Sequence, residues 1–235
     1  MEQYRLQVAT ARKDNPPPRL QFIRSVDSLT IARKDGALVV VINEESETPF
    51  DTTDVFQISE HLELVSLDES DLIMKVKTLK PIFLTIVDCR TTPAFIKKAA
   101  SKTRAKVRDL CIASKAEPSS ICLSTVFAVF PGIEHMVLDN VFPTSWIKFH
   151  QTTKLRCFTM HVSDADVIRG VDLWTFYKKQ ARGFTMMLTF DNNSDADNLE
   201  LEEIVNEYFM PVESSPFDLV VNYHNRAVLY ILKED

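Results

Sequence analysis

The sequence predicts an α/β fold in which strand–helix units are stacked along a mainly parallel sheet. Short apolar strands are predicted to begin at residues 82, 107, 133, 155 and 184, at intervals of 25, 26, 22 and 29 residues. Segments with helical spacing of apolar residues lie between them. Intervals of this length indicate leucine-rich-repeat-like units, each of which buries its apolar faces only when copies stack side by side.

The clearest units lie in residues 133–190. We predict strands at 133–138, 155–160 and 184–190, separated by helices at 143–153 and 163–179. Earlier units have strands at 82–87 and 107–113, with helices from Thr92 and over 118–130; a later helix is predicted at 199–209. The repeat is irregular and lacks the asparagine ladder of standard leucine-rich repeats. A plain α/β layer with right-handed crossovers is therefore the alternative.

Antiparallel hairpins are predicted at both ends of this array. At the N-terminal end, Asp35-Gly36 separates two apolar runs and accepts the positive φ angles of a tight turn. At the C-terminal end, 217–223 and 227–232 form the closing hairpin. Residues 1–19, which are polar and include three consecutive prolines, are expected to be a disordered leader before a single domain at 20–235.

Composition excludes several classes of function. The chain has 235 residues, 45% of them hydrophobic, and a net charge of -6, which disfavours a general nucleic-acid binder. Only four glycines are present, which argues against phosphate-binding loops and dinucleotide folds. No signal peptide and no membrane-spanning apolar run is visible. We expect a cytoplasmic or nuclear protein whose four cysteines are buried and reduced.

No catalytic motif or cofactor is predicted. The sequence has neither a nucleophile elbow nor a P-loop, and no cysteine has a local reason for a low pKa. His135 and His161 are expected to point outward from adjacent strands, near Cys111 or Cys157. Two histidines in register are more often incidental than metal ligands, so we expect no enzyme and no metal.

One acidic segment has the ligand spacing of a calcium loop. Asp191, Asn193, Asp195, Asp197 and Glu202 occupy offsets 1, 3, 5, 7 and 12. The glycine required at offset six is an alanine, and a strand precedes the segment where an EF-hand has a helix. A solvated loop before a helix is the favoured interpretation.

Two tryptophans lie on predicted crossover helices. Trp146 and Trp174 are each accompanied by other apolar residues. The favoured interpretation is that they pack helix against sheet; the alternative is that they anchor a protein partner, since tryptophan is enriched at interfaces.

A protein-binding surface is predicted from the repeat. Parallel strands of a stacked array place alternate side chains on one face, in one register. The residues expected to share that surface are Asp109, Glu134, His135, Arg156 and Thr185.

From Arg24 onward the order of elements resembles the FTH (DUF38) domain of the nematode F-box A proteins. Residues 130–138 (FPGIEHMVL) are similar to the F-P-x-I-E-x-L-x-L segment of that family, and 145–155 resemble its Q-W-K-x-A-K-x-L helix. The S-x-x-D-V helix start is matched by 162–168. The early hairpin and the last two strands are also similar.

This resemblance implies the substrate-recognition part of an F-box receptor of a ubiquitin ligase. Residues 1–27 are too few for the three-helix F-box that docks a Skp1-like adaptor, so we expect target binding without that adaptor. Family membership implies no catalytic residue. Alternatives are a structural or assembly subunit, for instance a dimer through strands near 28–42, an RNA-regulatory adaptor, or an enzyme with an unfamiliar α/β fold.

Overall fold

The computed structural model describes residues 4–5, 23–50, 55–71, 78–79, 81–103, 107–115, 117–144, 153–162, 166–169, 173–190, 195–223 and 226–234. The strands are β1 (Tyr4–Arg5), β2 (Ile23–Lys34), β3 (Ala37–Ile42), β4 (Thr48–Pro49), β5 (Val55–Val65), β6 (Thr78–Leu79), β7 (Phe83–Val87), β8 (Asp109–Ala113), β9 (Ser119–Ile121), β10 (His135–Asp139), β11 (Val141–Pro143), β12 (Cys157–Val162), β13 (Thr185–Phe190), β14 (Phe209–Val212), β15 (Leu219–Tyr223) and β16 (Arg226–Leu232). The helices are α1 (Pro93–Thr103), α2 (Leu123–Val129), α3 (Asp166–Arg169), α4 (Leu173–Lys178) and α5 (Asp195–Tyr208).

A run of parallel strands in chain order forms the centre of the fold. The eight strands β2, β5, β7, β8, β10, β12, β13 and β15 pair consecutively and in parallel. Antiparallel strands extend both ends, with β3 and β4 beyond β2, and β16 and β14 beyond β15. The predicted α/β fold, its mainly parallel sheet and its two antiparallel ends are confirmed.

The strand register gives the length of each repeat directly. His61, Phe83, Asp109, His135, Cys157 and Thr185 are consecutive register partners, so the intervals are 22, 26, 26, 22 and 28 residues. All of these lie in the 20–29-residue window of leucine-rich repeats. The predicted spacing was therefore close to the true period.

The core lies on one side of this sheet. Alternate strand residues such as Leu84, Ile112, Leu138, Phe158 and Leu188 are almost fully buried and form one cluster with the apolar residues of the helices. Helix α1 begins where predicted, because Thr92 Oγ1 accepts the Phe95 N–H at 3.1 Å and Pro93 needs no donor in the first turn.

Several element boundaries differ from prediction. The segment predicted as one helix over 118–130 contains strand β9 and the shorter helix α2, because β9 pairs in parallel with β11 in a separate two-stranded sheet. The helix predicted to start at Pro143 falls partly on β11; residues 145–152 lie outside the described part of the chain. The helix predicted from residue 199 begins already at Asp195.

Part of a side-chain ladder runs along the carboxyl ends of the strands. Ser66, Asp88 and Asn140 each follow a parallel strand and have positive φ. Asp88 Oδ1 accepts the Lys115 N–H at 2.6 Å, and Asn140 Nδ2 donates to Ser114 O at 2.9 Å. These two residues link neighbouring repeats, although a continuous asparagine ladder is absent from the described strands, as predicted.

The ends of the sheet match the predicted hairpins. Asp35 and Gly36 both have positive φ in the turn between β2 and β3. Two residues of the predicted leader, Tyr4–Arg5, pair with β2, and the rest of that leader lies outside the described residues. Among the described helices, none combines the length and the apolar character needed to cross a membrane.

Candidate interaction surface

The outward side of the parallel strands, which we call the open face, carries three registered rows of side chains. The first row consists of Ser28, His61, Phe83, Asp109, His135, Cys157 and Thr185; the second of Thr30, Glu63, Thr85, Cys111, Val137, Thr159 and Met187; the third of Ala32, Val65, Val87, Ala113, Asp139, His161 and Thr189. Most are half-buried, because side chains on adjacent strands shield one another, and none belongs to the helix-side core.

Three of the five predicted surface residues share the first row. Asp109 and His135 are direct register partners, and Thr185 follows Cys157 two strands further on. Sequence reasoning missed His61 and Phe83, which extend the same row. Counting back one or two repeat lengths from Asp109 would have found both.

Glu134 and Arg156 lie one position before the first row, at the amino edge of the sheet. Glu134 lies between two arginines: its Oε2 is 3.4 Å from Arg156 Nε and its Oε1 is 3.9 Å from Arg108 Nε. We call Arg108, Glu134 and Arg156 the edge ladder. The five predicted residues are therefore brought together, but on two adjoining parts of the molecule.

Polar pairs cross between neighbouring strands on the open face. His135 Nδ1 is 2.5 Å from Asp109 Oδ1, and His161 Nδ1 is 3.0 Å from Asp139 Oδ1. Toward β2, Thr30 Oγ1 donates to Glu63 Oε2 at 2.9 Å. These contacts fix the orientation of side chains over which none of the described helices packs.

The two outward histidines are not adjacent. His135 lies in the first row and His161 in the third, four residues further along the strand direction, which corresponds to roughly 13 Å. Within the described residues, no group of three metal-ligating side chains converges. His135 is in register with Cys157, as the sequence suggested, whereas His161 is not close to it.

The cysteines differ from the expectation that all four are buried. Only Cys89 is buried; Cys111, Cys122 and Cys157 are half-buried, and all four are free thiols. Burial raises the pKa of Cys89 to about 12, and burial also raises the pKa of Cys111. Both thiols stay protonated at neutral pH and are poor nucleophiles.

The tryptophans lie elsewhere. Trp174 is half-buried on α4, on the helix side, and Lys178 Nζ lies 5.0 Å from the centre of its ring. It does not join the open face. Trp146 lies outside the described residues.

The second half of the segment with calcium-loop spacing is helical. Asp195, Asp197 and Glu202 belong to helix α5, and Asp191 and Asn193 lie outside the described residues. A helical backbone does not wrap around one ion as the loop of an EF-hand does. Glu202 is instead ion-paired with Arg226.

A cleft of about 350 Å³ opens at the carboxyl ends of β2, β5 and β7. Its lining consists of Arg33, Ser66, Leu67, Asp68, Asp88, Cys89 and Arg90. Beside it, the buried carboxylate of Asp71 accepts a hydrogen bond from Arg33 Nε at 3.1 Å, and this interaction raises the pKa of Arg33. Arg33 is thus ion-paired with Asp71, while Asp68 and Asp88 accept hydrogen bonds from the Ser70 and Lys115 N–H groups.

The fold and the open face define a class of protein: a stacked strand–helix domain whose described helices all pack on one side of its sheet. No family model matches the chain, and no curated protein or solved structure is significantly similar to it. The resemblance to the FTH domain therefore stays a prediction.

Proposed function

We propose that this chain is a non-enzymatic protein-interaction domain that holds another protein on its open face. The observation that carries the proposal is the registered surface of the parallel strands, over which none of the described helices packs. Helix residues close the other side of the same strands into a core, whereas the open face carries threonine, histidine, carboxylate and valine side chains. A mixed polar and apolar surface of this kind is typical of non-obligate protein interfaces.

The chemistry of the open face favours binding over catalysis. Its histidine–aspartate pairs lie on a broad surface, and the Cys111 thiol among them has a raised pKa. A nucleophile activated for catalysis would need the opposite shift. The rigid backbone of a repeat array instead supplies a preorganised binding surface.

The resemblance to the FTH domain favours a partner that is a target protein of an F-box type ubiquitin ligase. This part of the proposal depends on the resemblance alone, and contact with a Skp1-like adaptor is not included. An assembly role through residues 28–42 has less support, because β2 is already paired on both of its sides and the edge strand β4 ends at Pro49.

Site-specific photo-crosslinking tests this proposal. A photoreactive amino acid at Thr159, on the open face, should capture a partner from cell extract. The same amino acid at Ala128, exposed on α2 on the helix side, is the matched control and should not capture it. The variant Val137→Arg, placed beside Thr159, should abolish the crosslink without lowering the melting temperature by more than a few degrees.

Two results would contradict the proposal. One is equal capture of the partner from Thr159 and from Ala128. The other is a crosslink from Thr159 that persists in the folded Val137→Arg variant. A partner bound over the second row would contact the arginine introduced there, so its binding should be lost.

A further inference from the structure

We propose that the amino edge of the sheet binds an acidic segment of the protein partner. Carboxylates of that segment bind the guanidinium groups of Arg108 and Arg156, and an apolar side chain of the same segment packs on Ile82 and Phe83. This inference rests on the proposed function and specifies the chemistry of the partner.

The backbone sets the order of groups along this edge. Parallel register places Ile82, Arg108, Glu134 and Arg156 at the same position before four adjacent strands. The N–H groups of Arg108, Glu134 and Arg156 donate to the carbonyl of the preceding member at 2.9, 2.8 and 2.7 Å. The edge therefore has a fixed sequence of apolar, positive, negative and positive groups.

The edge ladder has more donors than it uses. One carboxylate, Glu134, serves two arginines whose side chains are 66% and 68% exposed, and its contacts with their Nε atoms are long, at 3.9 and 3.4 Å. Within the described residues, neither guanidinium donates a hydrogen bond to another side chain. A guanidinium binds carboxylate most strongly through two parallel N–H donors, so each arginine retains capacity for a second acceptor.

Charge complementarity favours an acidic occupant. The chain carries a net charge of -6, so acidic ligands are repelled from most of its surface. The carboxylate of Asp109, the residue after Arg108, is held by the His135 ring. The edge ladder is thus a place where an acidic segment gains attraction, and the overall charge disfavours nucleic acid as the occupant.

Apolar surface adjoins the ladder. Ile82 and Phe83 are 42% and 48% exposed, and they lie one strand away from Arg108 and Asp109. The distance from Ile82 to the middle of the ladder is two strand spacings, roughly 10 Å. An extended chain covers that distance in about three residues. The expected ligand has a bulky apolar residue about two to four positions from an aspartate or glutamate.

Selection from a phage-displayed library of random linear peptides tests the inference. Peptides enriched on the full chain should combine an acidic residue with a nearby bulky apolar residue. A synthetic enriched peptide should bind the Arg108→Glu/Arg156→Glu variant at least about tenfold more weakly in fluorescence anisotropy. Glu134→Gln should bind it about threefold more tightly, because the competing carboxylate is removed.

The matched control is Arg90→Glu, the same charge reversal at an exposed arginine on the opposite edge, which should leave peptide affinity unchanged. Thermal unfolding verifies that every variant is folded. Phe83→Ala should also weaken binding of the peptide. This result would separate apolar packing from attraction by charge alone.

Four outcomes would overturn the inference: no enriched peptide, enriched peptides without acidic residues, equal binding to the Arg108→Glu/Arg156→Glu variant, or equally tight binding of a single-stranded RNA oligonucleotide. If enriched peptides lack acidic residues but lose binding with Val137→Arg, the open face remains the binding surface and only the inference about the edge fails. If acidic peptides bind through the edge while Thr159 captures no partner, the proposed function fails at the open face.

Discussion

The two faces of the parallel sheet are built from the same strands but from different chemistry. In β12, Phe158 and Met160 are fully buried against the helices. Cys157, Thr159 and His161, which alternate with them, are half-buried on the open face. The same alternation holds in β10, where Met136 and Leu138 face the core. A single strand thus contributes large apolar groups to one face and smaller or polar groups to the other.

In the proposed function, this difference separates stability from recognition. Burial of apolar area on the helix side supplies the main favourable free energy of folding, while half-exposed polar pairs contribute little. Side chains of the open face can therefore vary for partner binding at small cost in stability. Substitutions on the helix side should lower the free energy of unfolding strongly. Substitutions on the open face should change it little but should weaken partner binding.

The largest expected effect is that of Phe158→Ala. This ring is fully buried and packs edge-to-face with Phe176 at 5.6 Å between centroids. Its removal leaves a cavity under α4 and should lower the free energy of unfolding by about 3–5 kcal/mol. Urea denaturation of this variant and of Thr159→Ala, the next residue on the other face, measures the contrast.

For Thr159→Ala we expect a change of less than about 0.5 kcal/mol. Similar losses for the two variants would show that the open face is packed like a core, which would remove the physical basis of the proposed function.

The next largest effect is expected for Gln180→Leu on the helix side. Gln180 is buried; its Oε1 accepts the Leu155 N–H at 3.1 Å and its Nε2 donates to Phe176 O at 2.8 Å. Leucine leaves a buried N–H without its acceptor, at a cost of about 2 kcal/mol. Lys179→Leu, an exposed neighbour, is the control for measurement by thermal unfolding, and an equal loss there would contradict this explanation.

The parallel order of strands was predictable because local pattern and repeat length agree. The run at 82–87 is nearly continuous in apolar residues, as expected for a strand in a buried layer, and the strand starts predicted at 82, 107, 133, 155 and 184 are each about one repeat apart. Alternation then placed Asp109, His135 and Thr185 outward correctly relative to one another. For these residues, the sequence spacing is itself the spatial register.

Features that depend on pairing between repeats were not predictable from local pattern. Ser119–Ile121 has helical neighbours, but its N–H and C=O groups pair with Val141–Pro143, about 22 residues away. The role of Asp88 and Asn140 likewise depends on the adjacent repeat. Helix α5 begins early at Asp195, where acidic residues are favourable at a helix N-terminus.

The edge ladder shows why the site was only partly visible. Glu134 and Arg156 were predicted as surface residues together with His135 and Thr185. The prediction overlooked that they lie one position earlier along their strands and therefore outside the first row. Arg108 was missed as their partner, although it precedes Asp109 as Glu134 precedes His135. Applying the repeat to each predicted residue in turn would have identified the whole ladder.

A smaller effect is expected for Tyr177→Phe, which tests the core near the C-terminal end of the sheet. Tyr177 Oη lies 2.6 Å from Asp218 Oδ1 and 2.7 Å from Phe184 O. Loss of this donor should cost about 1 kcal/mol at neutral pH. Burial, then the hydrogen bond and charge of Asp218, raise the pKa of Tyr177 above its usual value near 10.

The raised pKa has a predictable consequence in alkali. The folded protein keeps this proton where the unfolded chain loses it, so stability is retained below pH 10 and falls as the pH rises above it. Tyr177→Phe should therefore lose less stability between pH 10 and 11 than the wild type does. Tyr223, whose pKa burial also raises, is present in both proteins. Parallel pH profiles would contradict the assignment to Tyr177.

The smallest effect is expected on the open face itself, for the contact between Asp109 and His135. A double-mutant cycle with Asp109→Asn and His135→Gln, measured by urea denaturation at neutral pH, should give a coupling free energy of at most about 0.5 kcal/mol, because both side chains are accessible to solvent. The same two substitutions should weaken partner capture from Thr159. A coupling above about 1 kcal/mol with unchanged capture would mean that this pair serves the fold, and that the open face owes its histidines and carboxylates to stability instead of recognition.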